Sequence, residues 1–186
     1  MEDIVVDKYD EIKALFELAN RKYLIEQKKL IQSGVSERTL CGQLMLYLNE
    51  AKEKTLYSHY YVDVEYNRNI NRRLKTIKDG EGDIIKINCD LILHSRGENV
   101  TQDNLIALEM KKSSGRIHEK EKDKERLKAL TRQSFDNIWS YDGKSLPEHV
   151  CRYILGVYYE INIPREEVLI EYYRNGKLFN SYTISI

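Results

Sequence analysis

The spacing of apolar residues changes near residue 55, and this change limits the fold more than any other feature of the sequence. Between about residues 7 and 32, and again between 36 and 54, apolar residues recur every three or four positions, which predicts two amphipathic helices. Ser36 is placed to cap the second helix. Residues 60–68 instead alternate between apolar and polar, which predicts a strand. We therefore expect helices packed against a sheet.

Two later segments predict an antiparallel hairpin with a long loop. KINCDLILH ends as one strand, and LIALEMK forms the other. The second half of residues 112–133 has helical spacing, and the apolar run CRYILGVYYEI is typical of an interior strand. A helix that leads into such a strand indicates a βα crossover.

The C-terminal segment predicts a second hairpin, because Asn175 and Gly176 lie between two alternating stretches. The predicted order is therefore α, α, β, β, β, α, β and a closing β-hairpin, which is a mixed α/β fold. A chain of 186 residues holds one such domain more comfortably than two. The predicted parts are an N-terminal helical extension (7–35), a core (36–161) and the C-terminal hairpin (166–186).

Composition excludes several classes of protein. A hydrophobic fraction of 41% and a charged fraction of 32% describe a soluble globular chain, and no apolar run is long enough to span a membrane. The first residues lack the basic and apolar regions of a secretory signal, so we expect a cytoplasmic protein. Cys41, Cys89 and Cys151 are far apart and sit in apolar stretches, so we expect buried thiols.

Three charged residues on the central hairpin predict a site. Its tip lies near residues 98 and 99, so Asp90 and Glu109 are equally far from it and pairing should bring them together. Lys111 shares a face with Glu109, because side chains alternate along a strand. Paired carboxylates suit Mg²⁺ or Mn²⁺. The alternative is a strand-end aspartate beside an ordinary ion pair, but both carboxylates interrupt apolar runs, where an unpaired charge is costly.

Asp90, Glu109 and Lys111, in this order of elements, resemble the PD-(D/E)xK (restriction-endonuclease-like) nucleases over residues 36–161. Cys89 stands where the motif has proline. The resemblance implies an αβββαβ core and a Mg²⁺-dependent nuclease, with Mn²⁺ as a substitute, that hydrolyses phosphodiester bonds in DNA. It makes Asp90 and Glu109 the metal ligands, and it gives Lys111 the task of polarising the attacking water and stabilising charge on the phosphate.

Glu37 matches an acidic residue that relatives carry on the helix before the sheet, so the resemblance adds it to the catalytic and metal-binding set. An acidic residue in the first turn of a helix also has a simpler explanation, because it is favoured by the helix dipole. The resemblance also implies that Glu65, Tyr66, Asn67 and Arg68 line the site, although Glu65 and Asn67 could equally face solvent. His94 is expected to be a hydrogen-bonded histidine rather than a catalytic one.

Two basic segments flank this site, although 30 basic and 30 acidic residues leave no net charge. Residues 67–78 hold five basic and no acidic residues, and residues 111–132 hold nine basic and four acidic ones. They are either a solvated loop and helix face or contacts for nucleic-acid phosphates. The predicted contacts are Arg68, Arg72, Arg73, Lys112, Arg116, Lys124, Arg126 and Lys128.

Two other functions remain open at this point. The chain could be a catalytically inactive relative that binds nucleic acid or protein on the same fold. It could also be a structural subunit whose N-terminal helix mediates homodimerisation, with the charges near Glu109 forming salt bridges.

Overall fold

A computed structural model describes residues 7–66, 76–78, 84–86, 89–99, 101–133 and 151–186. Its α-helices are α1 (Lys8–Glu26), α2 (Lys28–Gln32), α3 (Glu37–Lys52) and α4 (Ile117–Thr131). Its strands are β1 (Tyr61–Val64), β2 (Thr76–Lys78), β3 (Ile84–Lys86), β4 (Leu91–His94), β5 (Asn104–Lys112), β6 (Leu155–Asn162), β7 (Glu167–Arg174) and β8 (Lys177–Ser185).

Six strands form one mixed sheet in the order β1-β4-β5-β6-β7-β8. Strands β5 and β6 run parallel and are joined through α4, which confirms the predicted crossover, while every other neighbouring pair is antiparallel. Strands β2 and β3 form a separate pair. The prediction that 67–78 is all loop is therefore wrong at Thr76–Lys78. The prediction rested on the charge pattern, which does not show that these residues pair with another strand. The fold is therefore mixed α/β.

Local sequence signals set the ends of several elements. Ser36 caps α3 as predicted, and its hydroxyl accepts a hydrogen bond from the Thr39 amide at 3.2 Å. Asn175 and Gly176 both have positive φ, which is the backbone that a tight two-residue hairpin requires. The predicted helix over 7–32 is interrupted at Gln27, which leaves the helical conformation and donates from its side chain to the Tyr47 hydroxyl. None of the described helices could cross a membrane.

Strands β1 and β4 are shorter than predicted, β1 at its C-terminal end and β4 at its N-terminal end. β1 ends at Val64 because Glu65 takes a positive φ of 51°. β4 begins at Leu91, so Asp90 comes directly before the strand rather than inside it. Residues 67, 68, 87 and 88 lie outside the described part of the chain.

Helices cover both faces of the sheet. Leu91, Leu108 and Met110 point into a core shared with α1 and α3, which supply residues such as Phe16 and Leu44. Ile92, Ala107 and Tyr158 point the other way and meet Leu127 and Leu130 of α4. This alternation means that odd-numbered residues of the second half of β5 face α4.

Gly156 sets how closely α4 approaches β6, and its replacement should weaken the fold. A Cβ at Gly156 would lie 3.0 Å from both Thr131 Cγ2 and Tyr173 Cβ. Gly156→Ala should therefore lower the free energy of unfolding by about 1–3 kcal/mol through overpacking. Gly42, inside α3, has open space where a Cβ would lie, so Gly42→Ala should raise the free energy of unfolding by roughly 0.5–1 kcal/mol. Urea unfolding of the two variants measures both; equal effects would contradict the close packing at Gly156.

Candidate active site

The central hairpin brings Asp90 and Glu109 opposite each other. Leu91 pairs with Leu108, and one further step along the same register matches Asp90 with Glu109. The register agrees with the predicted approach of the two carboxylates. Their equal distance from the tip is wrong, because the register shifts by one residue between Leu93 and His94 and leaves Glu109 one residue farther from the turn. Asp90 Oδ2 accepts a hydrogen bond from the Met110 amide at 2.8 Å, which fixes its carboxylate at the end of β5.

Glu109 and Lys111 share the α4 face of the sheet, as predicted. Met110, between them, points to the opposite core, where its sulfur lies 3.6 Å from the thiol of Cys41. Glu109 is 1% exposed, so its carboxylate is removed from water, and Lys111 keeps 18% of its side chain exposed. A carboxylate buried this deeply requires a charged or hydrogen-bonding partner.

Helix α4 supplies that partner. Arg126 Nη1 lies 2.6 Å from Glu109 Oε1 and 3.1 Å from Asp123 Oδ1. Asp123 Oδ2 lies 3.0 Å from Lys111 Nζ, which in turn lies 3.9 Å from Glu37 Oε2. The five side chains form a continuous line from Glu109 through Arg126, Asp123 and Lys111 to Glu37, which we name the ion-pair chain.

Glu37 reaches the site from the first turn of α3. Its Oε1 accepts a hydrogen bond from the Lys112 amide at 2.8 Å, so it ties α3 to the end of β5. The structure thus brings all four predicted catalytic residues together. Glu37 also keeps the place at the helix start that the dipole favours.

The environment changes the acidity of these groups. Burial raises the pKa of Glu109, and the carboxylates of Asp90 and Asp123 add to the rise, while Arg126 opposes it. Burial also raises the pKa of Asp90, against the hydrogen bond from Met110. Burial by itself lowers the pKa of Lys111, but Asp123 and the other carboxylates outweigh this and leave its pKa raised. Burial is therefore the main cause of the raised pKa of both carboxyl groups, and the surrounding carboxylates are the cause of the raised pKa of Lys111.

Two formal negative charges remain once the cations of the site are counted. The carboxylates are those of Glu37, Asp90, Glu109 and Asp123, and the cations are Lys111 and Arg126. Within the described ranges, Asp123 Oδ2 has no hydrogen-bond donor, although the Lys111 ammonium is in ion-pair contact with it. This excess is the charge that one divalent cation would neutralise.

Two side chains of the site are donors of the kind that Mg²⁺ prefers. No cluster of three or more acidic, histidine or cysteine side chains is arranged to hold a metal among the residues that the structure describes. Mg²⁺ is commonly bound by one or two carboxylates and keeps several waters. Asp90 and Glu109 are therefore donors of the right kind and number, and Glu37, in ion-pair contact with Lys111 at 3.9 Å, also acts electrostatically on Asp90.

The predicted phosphate contacts divide into exposed and internal residues. Arg116 is 86% exposed at the side chain and lies at the start of α4, and Lys112 Nζ donates to the Gly34 carbonyl at 2.8 Å. Lys124 pairs with Glu171, and Lys128 pairs with Glu125 on its own helix. The predictions for Arg68, Arg72 and Arg73 fall outside the described residues.

Three basic residues of α4 form ion pairs with acidic residues of the sheet. Lys120 pairs with Glu160 of β6 at 3.1 Å, and Lys124 pairs with Glu171 of β7 at the same distance. Together with Arg126 on Glu109, they place a cation of α4 on an acidic residue in each of three strands. Much of the positive charge in the 111–132 segment is thus neutralised inside the protein.

Residues near the first strand do not join the ion-pair chain. His94 Nε2 lies 2.9 Å from Asp63 Oδ2, and the Tyr66 ring packs against the imidazole, so the prediction of a hydrogen-bonded histidine is confirmed. Glu65 is paired with Arg38 of α3 at 2.7 Å. Asn67 lies outside the described residues. Cys41, Cys89 and Cys151 are buried free thiols, as predicted.

Sequence reasoning missed Asp123 as a member of the site and assigned Arg126 to phosphate. A signal was present, because Asp123 lies one helical turn before Leu127 and so interrupts the buried stripe of α4. Comparison of the chain with family models, curated proteins and solved structures finds no match.

Replacement of Arg126 should show how much its ion pair with Glu109 contributes to the stability of the fold. Arg126→Met leaves the Glu109 carboxylate buried without its cation and should lower the free energy of unfolding by about 3–5 kcal/mol. Lys128→Met, on the same helix, removes a more exposed pair with Glu125 and should change it by at most about 0.5 kcal/mol. Chemical unfolding at pH 7 compares them, and a similar small loss in both variants would contradict a buried ionic contact.

Proposed function

We propose that this chain is a metal-dependent nuclease that hydrolyses phosphodiester bonds, with DNA as its substrate. The observation that carries the proposal is the register of β4 and β5, in which Asp90 directly precedes the Leu91–Leu108 pair and accepts a hydrogen bond from the Met110 amide, next to Glu109. The order α3, β1, β4, β5, α4 and β6 supports the assignment, because it agrees with the αβββαβ core of the restriction-endonuclease-like fold.

Each residue has a defined task in this proposal. Asp90 and Glu109 would hold Mg²⁺, or Mn²⁺ as a substitute. The bound ion would acidify a water molecule and stabilise negative charge on the phosphate. Lys111 places an ammonium group beside the carboxylates, where it orients the attacking water and offsets charge on the phosphate. Glu37 holds the Lys112 amide and so fixes the end of β5 that carries Lys111.

The exposed cations next to the site provide the contact surface for nucleic acid. Arg116 directly precedes α4, and its exposed side chain makes only a long ion pair of 3.7 Å with the exposed Glu119 among the described residues. Lys112 directly follows Lys111, and its hydrogen bond to a carbonyl leaves the positive charge without an acidic partner among the described residues. Such contacts fix a phosphate backbone without reading its sequence.

One observation favours a second candidate, an inactive nucleic-acid-binding or protein-interaction module on the same fold. Arg126 already neutralises Glu109 through Oε1 at 2.6 Å, and a metal ion at this carboxylate would have to compete with the guanidinium. A protein in which Arg126 stays in place would keep the fold and bind no divalent cation. Metal binding therefore separates the two candidates.

The nuclease is tested by cleavage of plasmid, linear and single-stranded DNA with Mg²⁺ or Mn²⁺, against a chelator control. Wild-type protein should cut at least one of them. Lys111→Ala should reduce the rate by at least about 100-fold, because it removes a preorganised charge from the reacting phosphate. Lys122→Ala changes an exposed lysine of α4 and should leave the rate as it is.

Calorimetric titration with Mn²⁺ completes this test. Wild-type protein should bind the ion, and Asp90→Asn should not, while circular dichroism shows that both remain folded. If wild-type protein neither binds Mn²⁺ nor cuts any substrate, the nuclease function is excluded, and the result favours the inactive nucleic-acid-binding or protein-interaction module.

The N-terminal helix offers a surface for a homodimer, which we propose as the quaternary state. Leu18 and Ile25 of α1 are 63% and 73% exposed and, seven residues apart, lie along one side of the helix. Leu18→Glu with Ile25→Glu should convert a dimer to a monomer by light scattering. Leu178→Glu on β8, which changes another exposed apolar residue, should not. A monomeric wild-type protein would exclude the dimer.

A further inference from the structure

We propose that Asp123 is a positioning residue of this site, which directs the Lys111 ammonium group and gives Arg126 a second anionic partner when Glu109 binds a metal. The inference rests on the proposed nuclease function and adds a residue that the Asp, Glu and Lys motif does not contain. It is carried by the position of Asp123 in the middle of the ion-pair chain.

The two carboxylate oxygens of Asp123 contact different cations. Oδ1 lies 3.1 Å from Arg126 Nη1, and Oδ2 lies 3.0 Å from Lys111 Nζ. Only 7% of the Asp123 side chain is exposed, so water screens neither contact strongly. One side chain of α4 thereby determines where both cations lie relative to Glu109.

The Lys111 ammonium group needs an anionic partner to hold it in one position. Its ammonium sits on a flexible stem of four carbons, and each rotatable bond that stays free spreads the charge over a larger volume. Asp90 and Glu37 also act on the ammonium, but no ion-pair contact with Asp90 is present among the described residues. The nearest oxygen of Glu37 is 3.9 Å away, and its second oxygen is engaged by the Lys112 amide. Asp123 is therefore the residue that sets the direction of the ammonium.

The spacing on α4 couples this effect to Arg126. Residues three apart on a helix are neighbours on its surface, so Asp123 and Arg126 approach the sheet side by side. Asp123 consequently holds Arg126 within reach of Glu109 even if that carboxylate turns toward a metal. In this arrangement the guanidinium has a second anionic partner while Glu109 is engaged elsewhere.

Asp123→Asn tests the inference, because it preserves the size of the side chain and removes its charge. The turnover number for DNA cleavage should fall by about 10- to 100-fold, a loss typical of removing a residue that orients a catalytic group. The KM for DNA should stay the same, since Asp123 is buried and does not face the substrate. Crystal structures should show Lys111 Nζ displaced from its wild-type position in the variant.

Two further variants control for folding and charge. Glu121→Gln removes a negative charge from the exposed side of α4 and should cleave as wild type does. Asp123→Glu keeps the charge one methylene farther out; it should cleave faster than Asp123→Asn but slower than wild type, and it replaces Asp123→Asn in the comparison if that variant unfolds.

The possible failures are distinct. An active wild-type protein together with an equally active Asp123→Asn variant, or a Lys111 Nζ that stays in place in that variant, overturns the positioning role alone. A wild-type protein that cuts no substrate overturns the nuclease and the positioning role with it.

Discussion

A carboxylate in the middle of a buried strand needs a cation within reach, and this requirement at Glu109 determines where α4 can lie. Arg126 can contact Glu109 at 2.6 Å only if α4 lies directly over β5. The same placement brings Lys120 and Lys124 over the acidic residues of β6 and β7 and sets Leu127 and Leu130 against the sheet. The charged and apolar contacts of this helix therefore specify one arrangement.

The ionic layer also decides what the positive charge of α4 can do. Because three of its basic residues contact strand carboxylates, the helix is less basic toward solvent than its sequence indicates. Contact with a polyanion then depends on residues at the start of the helix, where Arg116 is open, and on the adjacent end of β5. The ion-pair chain and these exposed cations therefore lie at the same end of the sheet.

Much of the fold could be predicted because its signals are local. Residues close in sequence, or the pairing of two strands, determine the cap at Ser36, the turn at Asn175 and Gly176 and the approach of Asp90 to Glu109. The partners of Glu109 and Lys111 could not be predicted in this way. Asp123 and Arg126 reach them only after the crossover helix has folded back on the sheet, and a charge pattern alone does not distinguish a helix face toward solvent from one toward a carboxylate.

The ion pairs between α4 and the sheet also limit how this sequence can change over time. Replacing one member alone leaves a buried charge without its partner, which costs far more than the pair itself contributes. Exchange of the pair for apolar residues is tolerable only when both members change together. Descendants of this chain that no longer depend on the proposed activity should therefore show Glu109 varying jointly with Arg126, and Lys111 jointly with Asp123, so that the contact between helix and sheet is inherited as a set of linked positions.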